Sequence, residues 1–182
     1  MVSSFGVSIL LTGLPGAGKT TMALGLEAEL LRHGHSVTVL DGDELRRQLS
    51  SDLGFSRDDR DLHVLRVAGL AREIIRNGGI ALCALIAPYG AARESAREAI
   101  EQVGGFVEVH VSTPLEVCEA RDPKGLYAAA RTGHMRGFTG IDDPYEVPEA
   151  PDLRIDTSDL SVEQAVAVVM KFLMARGFVG YC

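Results

Sequence analysis

Gly13-Leu14-Pro15-Gly16-Ala17-Gly18-Lys19-Thr20 fits G-x-x-x-x-G-K-[ST], the pattern of a phosphate-binding loop. Its flanks fit as well. The apolar run Val7-Ser8-Ile9-Leu10-Leu11 reads as a buried strand entering the loop, and the stretch from Thr21 to Leu31 reads as a helix leaving it. Glycines let backbone N–H groups turn inward around phosphate oxygens, and the positive end of the following helix stands behind them. Lys19 is long enough to reach β- and γ-phosphates, and Thr20 supplies a hydroxyl for Mg²⁺. A chance glycine-rich turn has no reason to carry strand, Lys-Thr pair and helix in that order. ATP and Mg²⁺ are therefore the expected cofactors, with Thr21 completing the nucleotide-binding run.

Further apolar runs continue the pattern. Ser36–Leu40, Ile80–Ile86, Phe106–Val111 and the short Leu153–Asp156 read as strands. Their hydrophobicity is continuous instead of alternating, which suits strands covered on both faces. Helical spacing lies between them, over residues 61–77, 91–103, 114–120 and 161–176. Asn77-Gly78-Gly79 ends the first with C-cap chemistry, Thr113 and Pro114 open the third, and Ser161 caps the last. Strands alternating with helices predict an α/β fold with a parallel sheet and helices on both faces. Right-handed crossovers bring the C-terminal ends of the strands to one edge. The phosphate-binding loop, Asp41-Gly42-Asp43 and Ala87-Pro88-Tyr89 should meet there.

A length of 182 residues predicts one domain over 1–182. The net charge of −7 argues against general nucleic-acid binding. An anionic ligand must then be held by a local basic cluster. No apolar run reaches membrane-spanning length and no signal-peptide pattern opens the chain, so a cytoplasmic protein without membrane partners is expected. Cys83, Cys118 and Cys182 match no zinc or redox spacing, and Cys83 reads as a buried reduced thiol. Residues 121–151 break the strand–helix pattern with charges, glycines and prolines. A segment this long inside a compact domain is usually functional, and Phe138, Ile141 and Tyr145 give it apolar anchors. It reads as a lid that closes over nucleotide and excludes water.

Several segments carry a specific resemblance. Asp41-Gly42-Asp43-Glu44-Leu45-Arg46, Asp52-Leu53-Gly54-Phe55-Ser56, Pro114–Glu119, Arg121-Asp122-Pro123-Lys124-Gly125-Leu126-Tyr127 and Gly137-Phe138-Thr139-Gly140-Ile141-Asp142-Asp143-Pro144-Tyr145-Glu146 resemble, in order, the signatures of the adenylylsulfate kinase (APS kinase) family. The resemblance spans about residues 5–175, by the motif reading. It implies a P-loop NTPase-type three-layer sandwich with a five-stranded parallel sheet. It also implies transfer of the γ-phosphate of MgATP to the ribose 3′-hydroxyl of adenosine 5′-phosphosulfate (APS), giving 3′-phosphoadenosine 5′-phosphosulfate.

The roles it implies fall on named residues. Lys19 and Lys124 supply cations to the transferring phosphate. Asp43 orients the 3′-hydroxyl and accepts its proton, while Asp41 supports Mg²⁺ through water; the two aspartates could exchange roles, or simply cap the helix that begins near Glu44. Arg46 and Arg60 hold the phosphosulfate region, since guanidinium forks suit such oxyanions. Phe55 and Phe138 sandwich the APS adenine. His63, Ile86, Ala87, Gly137 and Thr139 complete the APS site. Arg121 packs on the ATP adenine with Thr157 nearby. A homodimer and a functional link to ATP sulfurylase are implied too, and whether the chain acts alone or within a fusion stays open.

The sequence also departs from the family pattern. Pro15 and Thr20 stand where serines are frequent. His63 stands for an Asn that contacts APS, and Leu65 for an Arg. Ala87 replaces a Ser proposed in parts of the family as a phosphorylated intermediate; with no nucleophilic oxygen there, transfer must be direct. Gly90 removes a cation, and Arg136 stands where Lys is common. Two other readings therefore remain beside the kinase: a sulfonucleotide-binding regulatory domain without turnover, and a kinase for a related nucleotide.

Overall fold

The computed structural model describes residues 6–180; Cys182 and the first residues of the chain lie outside them. In chain order the elements are β1 (Val7–Thr12), α1 (Lys19–Arg32), β2 (Val37–Asp41), α2 (Gly42–Gln48), α3 (Arg57–Arg76), β3 (Ile80–Ala84), α4 (Gly90–Glu101), β4 (Gly105–Val111), α5 (Leu115–Arg121), α6 (Leu126–Arg131), β5 (Leu153–Ile155) and α7 (Val162–Ala175). The strands form one sheet in the order β2-β3-β1-β4-β5, and each pairing is parallel.

Strand periodicity explains the two apolar layers. Successive side chains point to opposite faces, so Ile9 and Leu11 join Leu26, Leu30, Val109 and Leu173 on the face covered by α1 and α7. Leu10 faces the other way, among Val64, Val67, Ala71, Cys83 and Ile100 beneath α3 and α4. This is why β1 reads as an unbroken apolar run. Burial also pushes the Cys83 thiol up to about 11, so it stays protonated at neutral pH. Among the described residues, no helix is long and apolar enough to cross a membrane.

Several boundaries differ from the sequence expectation. β3 ends at Ala84; the Leu85 amide still donates to the Leu11 carbonyl of β1 at 3.1 Å, and the chain leaves the sheet after it, toward Pro88. α3 starts at Arg57 instead of residue 61, capped by the Ser56 hydroxyl on the Asp59 amide. Thr113 is not the cap of α5, since Pro114 occupies that position without a side-chain hydrogen bond. Ser161 does cap α7, in a capping box completed by Gln164. The segment 121–151 is more structured than a loop: it contains α6 and a bridge between Thr139 and Asp143.

Candidate active site

The phosphate-binding loop leaves β1 at the C-terminal edge of the sheet and feeds directly into α1. Gly16 and Gly18 have φ of 76° and 100°, values that favour glycine, and a Cβ on Gly16 would lie 3.0 Å from the Cys118 carbonyl. The Lys19 ammonium folds back over the loop, donating to the Gly13 carbonyl at 2.9 Å and the Leu14 carbonyl at 2.7 Å. Burial pushes its pKa down to about 8; Cys118, Asp43 and Asp41 pull the other way. The ammonium is thus held against the loop backbone, with no carboxylate paired to it among the described residues.

A buried brace holds the loop from behind. The Thr157 hydroxyl donates to the Ala17 carbonyl at 2.9 Å and lies 2.8 Å from the Thr113 hydroxyl. Arg121 donates through Nη1 to Thr157 Oγ1 at 3.0 Å and through Nη2 to the Thr157 carbonyl at 2.8 Å. Thr157 therefore acts on the loop backbone, a contact that the expectation for an adenine pocket did not contain. Tyr127 adds a further strut, its hydroxyl donating to the Pro15 carbonyl at 2.8 Å.

Asp41 sits at the end of β2 and caps α2. Its Oδ1 accepts from the amides of Asp43 at 3.0 Å and Glu44 at 3.1 Å, while its Oδ2 accepts the Thr20 hydroxyl at 2.7 Å. The capping role foreseen for this pair falls on Asp41 alone. Asp43 points outward from the first turn of α2 and pairs with Lys124, which reaches over from the segment after α5. Both side chains are exposed, and exposed pairs contribute only about 0–1 kcal/mol. A ligand can therefore displace either group cheaply.

On the other side of Asp43, a cluster gathers around Phe55, which is 68% exposed. The Arg46 guanidinium lies 4.8 Å from its ring centroid and that of Arg60 5.7 Å. His63 is buried one turn along α3 from Arg60, with Nδ1 2.9 Å from the Ser50 hydroxyl and Nε2 unpartnered. Desolvation first, then Arg46, holds its pKa below the ordinary histidine value, so the ring is neutral at pH 7. His63 is 8% exposed and its ring faces inward from α3. Leu65, by contrast, is exposed on α3.

Two of the residues expected in the APS site have partners within the protein. Arg60 is buried and donates to the Phe55 carbonyl at 2.9 Å, the Thr139 hydroxyl at 2.9 Å and the Gly137 carbonyl at 2.5 Å. Its fork is thus engaged with Phe55 and the 121–151 segment, whereas Arg46 lies over the Phe55 ring. Phe138 is 8% exposed and meets Tyr127 edge to face, with centroids 4.9 Å apart. Phe55 is the open aromatic face of the two.

Some residues at this edge went unassigned from sequence. Asp143 accepts the Tyr89 hydroxyl and lies 3.5 Å from Arg60 Nε. Glu146 accepts from the Gly90 amide and from Arg57, whose guanidinium lies 4.2 Å from the Tyr89 ring centroid. Arg57 thus stands across Glu146 from Gly90, and Arg93 Nη2 would lie 3.8 Å from a Cβ at Gly90. The acid-rich Ile141–Glu146 run was the available signal, but its partners lie far away in sequence.

Comparison with known proteins follows the same lines. The family described as "Adenylylsulphate kinase" matches residues 5–156. The adenylyl-sulfate kinase of Halothermothrix orenii is 48% identical over 174 residues, covering 96% of this chain and 92% of that protein. The structure of the Mycobacterium tuberculosis APS kinase CysC in complex with AMPPNP and APS superposes with a TM-score of 0.90 at 42% identity, covering 93% of this chain and 98% of that one. A sulfate adenylyltransferase of Aspergillus oryzae is 45% identical over 174 residues, but these make up only 30% of its length. With a family match over most of its length and near-complete coverage of relatives at this identity, the chain belongs to the adenylylsulfate kinase family.

Proposed function

We propose that this protein transfers the γ-phosphate of ATP to the 3′-hydroxyl of APS. The observation that carries the reading is the convergence, on one sheet edge, of Lys19 over the phosphate-binding loop, the Thr20–Asp41 contact and the Asp43–Lys124 pair. Phosphoryl transfer asks chiefly for charge stabilisation and alignment. Lys19 is poised to exchange the Gly13 and Leu14 carbonyls for β/γ-phosphate oxygens. Lys124 is poised to exchange Asp43 for the transferring phosphate, which frees Asp43 to hold the acceptor hydroxyl and take its proton. Arg46 and Phe55 offer an oxyanion fork and a purine platform beside it. Ala87 offers no oxygen to carry a phosphoryl group, so transfer is direct.

Thr20 and Asp41 present two hard oxygen donors at the loop mouth, 2.7 Å apart. That donor set fits a magnesium ion that keeps several waters and takes other oxygens from phosphates. When bound, magnesium neutralises charge developing across the β- and γ-phosphates. We further read the chain as one catalytic domain with 121–151 as its lid, acting in the cytoplasm as a homodimer alongside ATP sulfurylase.

The test is a coupled assay of the purified chain with MgATP and APS, following ADP and the 3′-phosphorylated product together. APS-dependent release of both is expected. Tight APS binding without ADP release would instead favour a regulatory domain, and ADP release only with another acceptor would favour a different substrate.

The contrast between the two phenylalanines gives a second measurement. Phe55→Ala removes an exposed ring, so the melting temperature should hold while APS affinity falls about 10- to 100-fold, in line with about 1–3 kcal/mol for a base–aromatic stack. Phe138→Ala removes a buried ring and should cost about 3 kcal/mol of stability by the large-to-small core scale. Calorimetry and APS titration on both variants check this; an unchanged melting temperature for Phe138→Ala would put that ring back in the ligand site.

A further inference from the structure

Ala87 is a non-glycine residue in the left-handed region, with φ of 45°, and it precedes Pro88, which restricts its backbone further. Such a conformation persists only when its surroundings over-determine it. The restraint comes from two side chains. Thr12 donates to the Ile86 carbonyl at 2.6 Å. Arg93, 5% exposed, donates through Nη1 to the Ala87 carbonyl at 2.7 Å.

The rest of the Arg93 fork reaches two other parts of the molecule. Nη2 donates to the Glu146 carbonyl, at the exit of the lid, at 2.7 Å. Nε pairs with Glu108 of β4 at 2.9 Å. Glu108 also lies 3.6 Å from Arg97, which is paired in turn with Asp152 at 2.8 Å. The lid exit and the Ala87 turn are joined directly as well, since the Glu146 amide donates to the Pro88 carbonyl at 2.8 Å. One buried guanidinium therefore ties the strained turn and the end of the lid to the sheet.

We propose that Arg93 is a positioning residue for the acceptor nucleotide: its three-armed fork holds Ile86-Ala87 in the left-handed turn and keeps the lid exit in register with it. The inference rests on the reading of APS as acceptor, with Ile86 and Ala87 in its site. Arg93 itself acts only through those backbone carbonyls. The polar contacts of its side chain among the described residues go to Ala87, Glu146 and Glu108 and none to residues 13–20, so the larger effect is expected on APS and not on ATP.

The test uses the full chain with Arg93→Lys, Ala87→Gly and the two combined. Lysine keeps the charge opposite Glu108 but loses the planar fork. Arg93→Lys should raise KM for APS about tenfold with KM for ATP held within about twofold, a split that a general loss of folded protein does not produce. Glycine adopts the turn without a clamp, so Ala87→Gly added to Arg93→Lys should restore most of the APS KM. If Arg93→Lys fails to fold, Arg93→Met with Glu108→Leu removes the buried pair as a unit and strands no charge; the same APS-selective defect is expected. An unchanged KM for APS, an equal rise for both substrates, or no recovery with glycine would overturn the proposal. The unmodified chain is assayed first: absence of APS turnover there overturns the acceptor reading itself, whereas normal turnover with a flat variant series overturns only the role of Arg93.

Discussion

Lys19→Ala should lower kcat about 10³-fold, equivalent to about 4 kcal/mol of transition-state stabilisation, the scale for removing one preorganised charge from a phosphoryl-transfer site. Lys19 is 8% exposed, and its ammonium is bonded only to the loop carbonyls of Gly13 and Leu14 among the described residues. Its removal therefore leaves no buried anion unpaired, and the melting temperature and APS binding should change little. Near-normal kcat would contradict the role.

The same residue predicts a pH dependence. Burial disfavours the ammonium and pushes its pKa down to about 8, so the charged form dominates below that pH and is lost as pH rises through it. The free enzyme governs kcat/KM. For ATP that ratio should fall above about pH 8, while kcat, read in the nucleotide complex, should hold to higher pH because phosphate oxygens favour the charged lysine. An alkaline limb at the same pH in both parameters would assign the titration elsewhere.

What the chain reveals in one dimension follows from how local each cause is. The loop, its strand and its helix are contiguous, and β1 shows its burial directly because both faces are covered by apolar layers. Parallel pairing followed from alternation alone. α6 was hidden although Leu126–Arg131 is rich in helix formers, because the glycines and prolines around it masked a six-residue run. The contact of Phe138 with Tyr127 was not legible, since its partner lies on the hidden α6. The partners of Arg60 were hidden too; its acceptors at Gly137 and Thr139 come from a segment 77 or more residues away. Arg93 gave no signal at all. Two of its three partners are backbone carbonyls at Ala87 and Glu146, and carbonyls carry no residue identity to read.

Asp43→Asn should lower kcat about 10²- to 10³-fold, within the range for loss of a positioned general base, with ATP affinity and the response to magnesium unchanged. Asparagine keeps the shape of the side chain and its reach to Lys124, so a defect would report the missing proton acceptor. Asp41→Asn is the informative contrast. Asparagine caps a helix about as well as aspartate, so α2 should survive the loss of charge opposite the Asp43 and Glu44 amides. The Thr20 hydroxyl, however, donates to Asp41 Oδ2 at 2.7 Å, and the weaker amide oxygen should support the cation poorly. The magnesium concentration giving half-maximal rate should rise about tenfold or more, on the scale of a lost outer-shell partner, with kcat at saturating magnesium much less affected. Magnesium titrations of both variants separate the two aspartates: a shift in Asp43→Asn with none in Asp41→Asn would exchange their roles. Because Asp41 fixes the start of α2 and Asp43 stands two residues on, that exchange would also move the proton acceptor from the first turn of α2 to the end of β2.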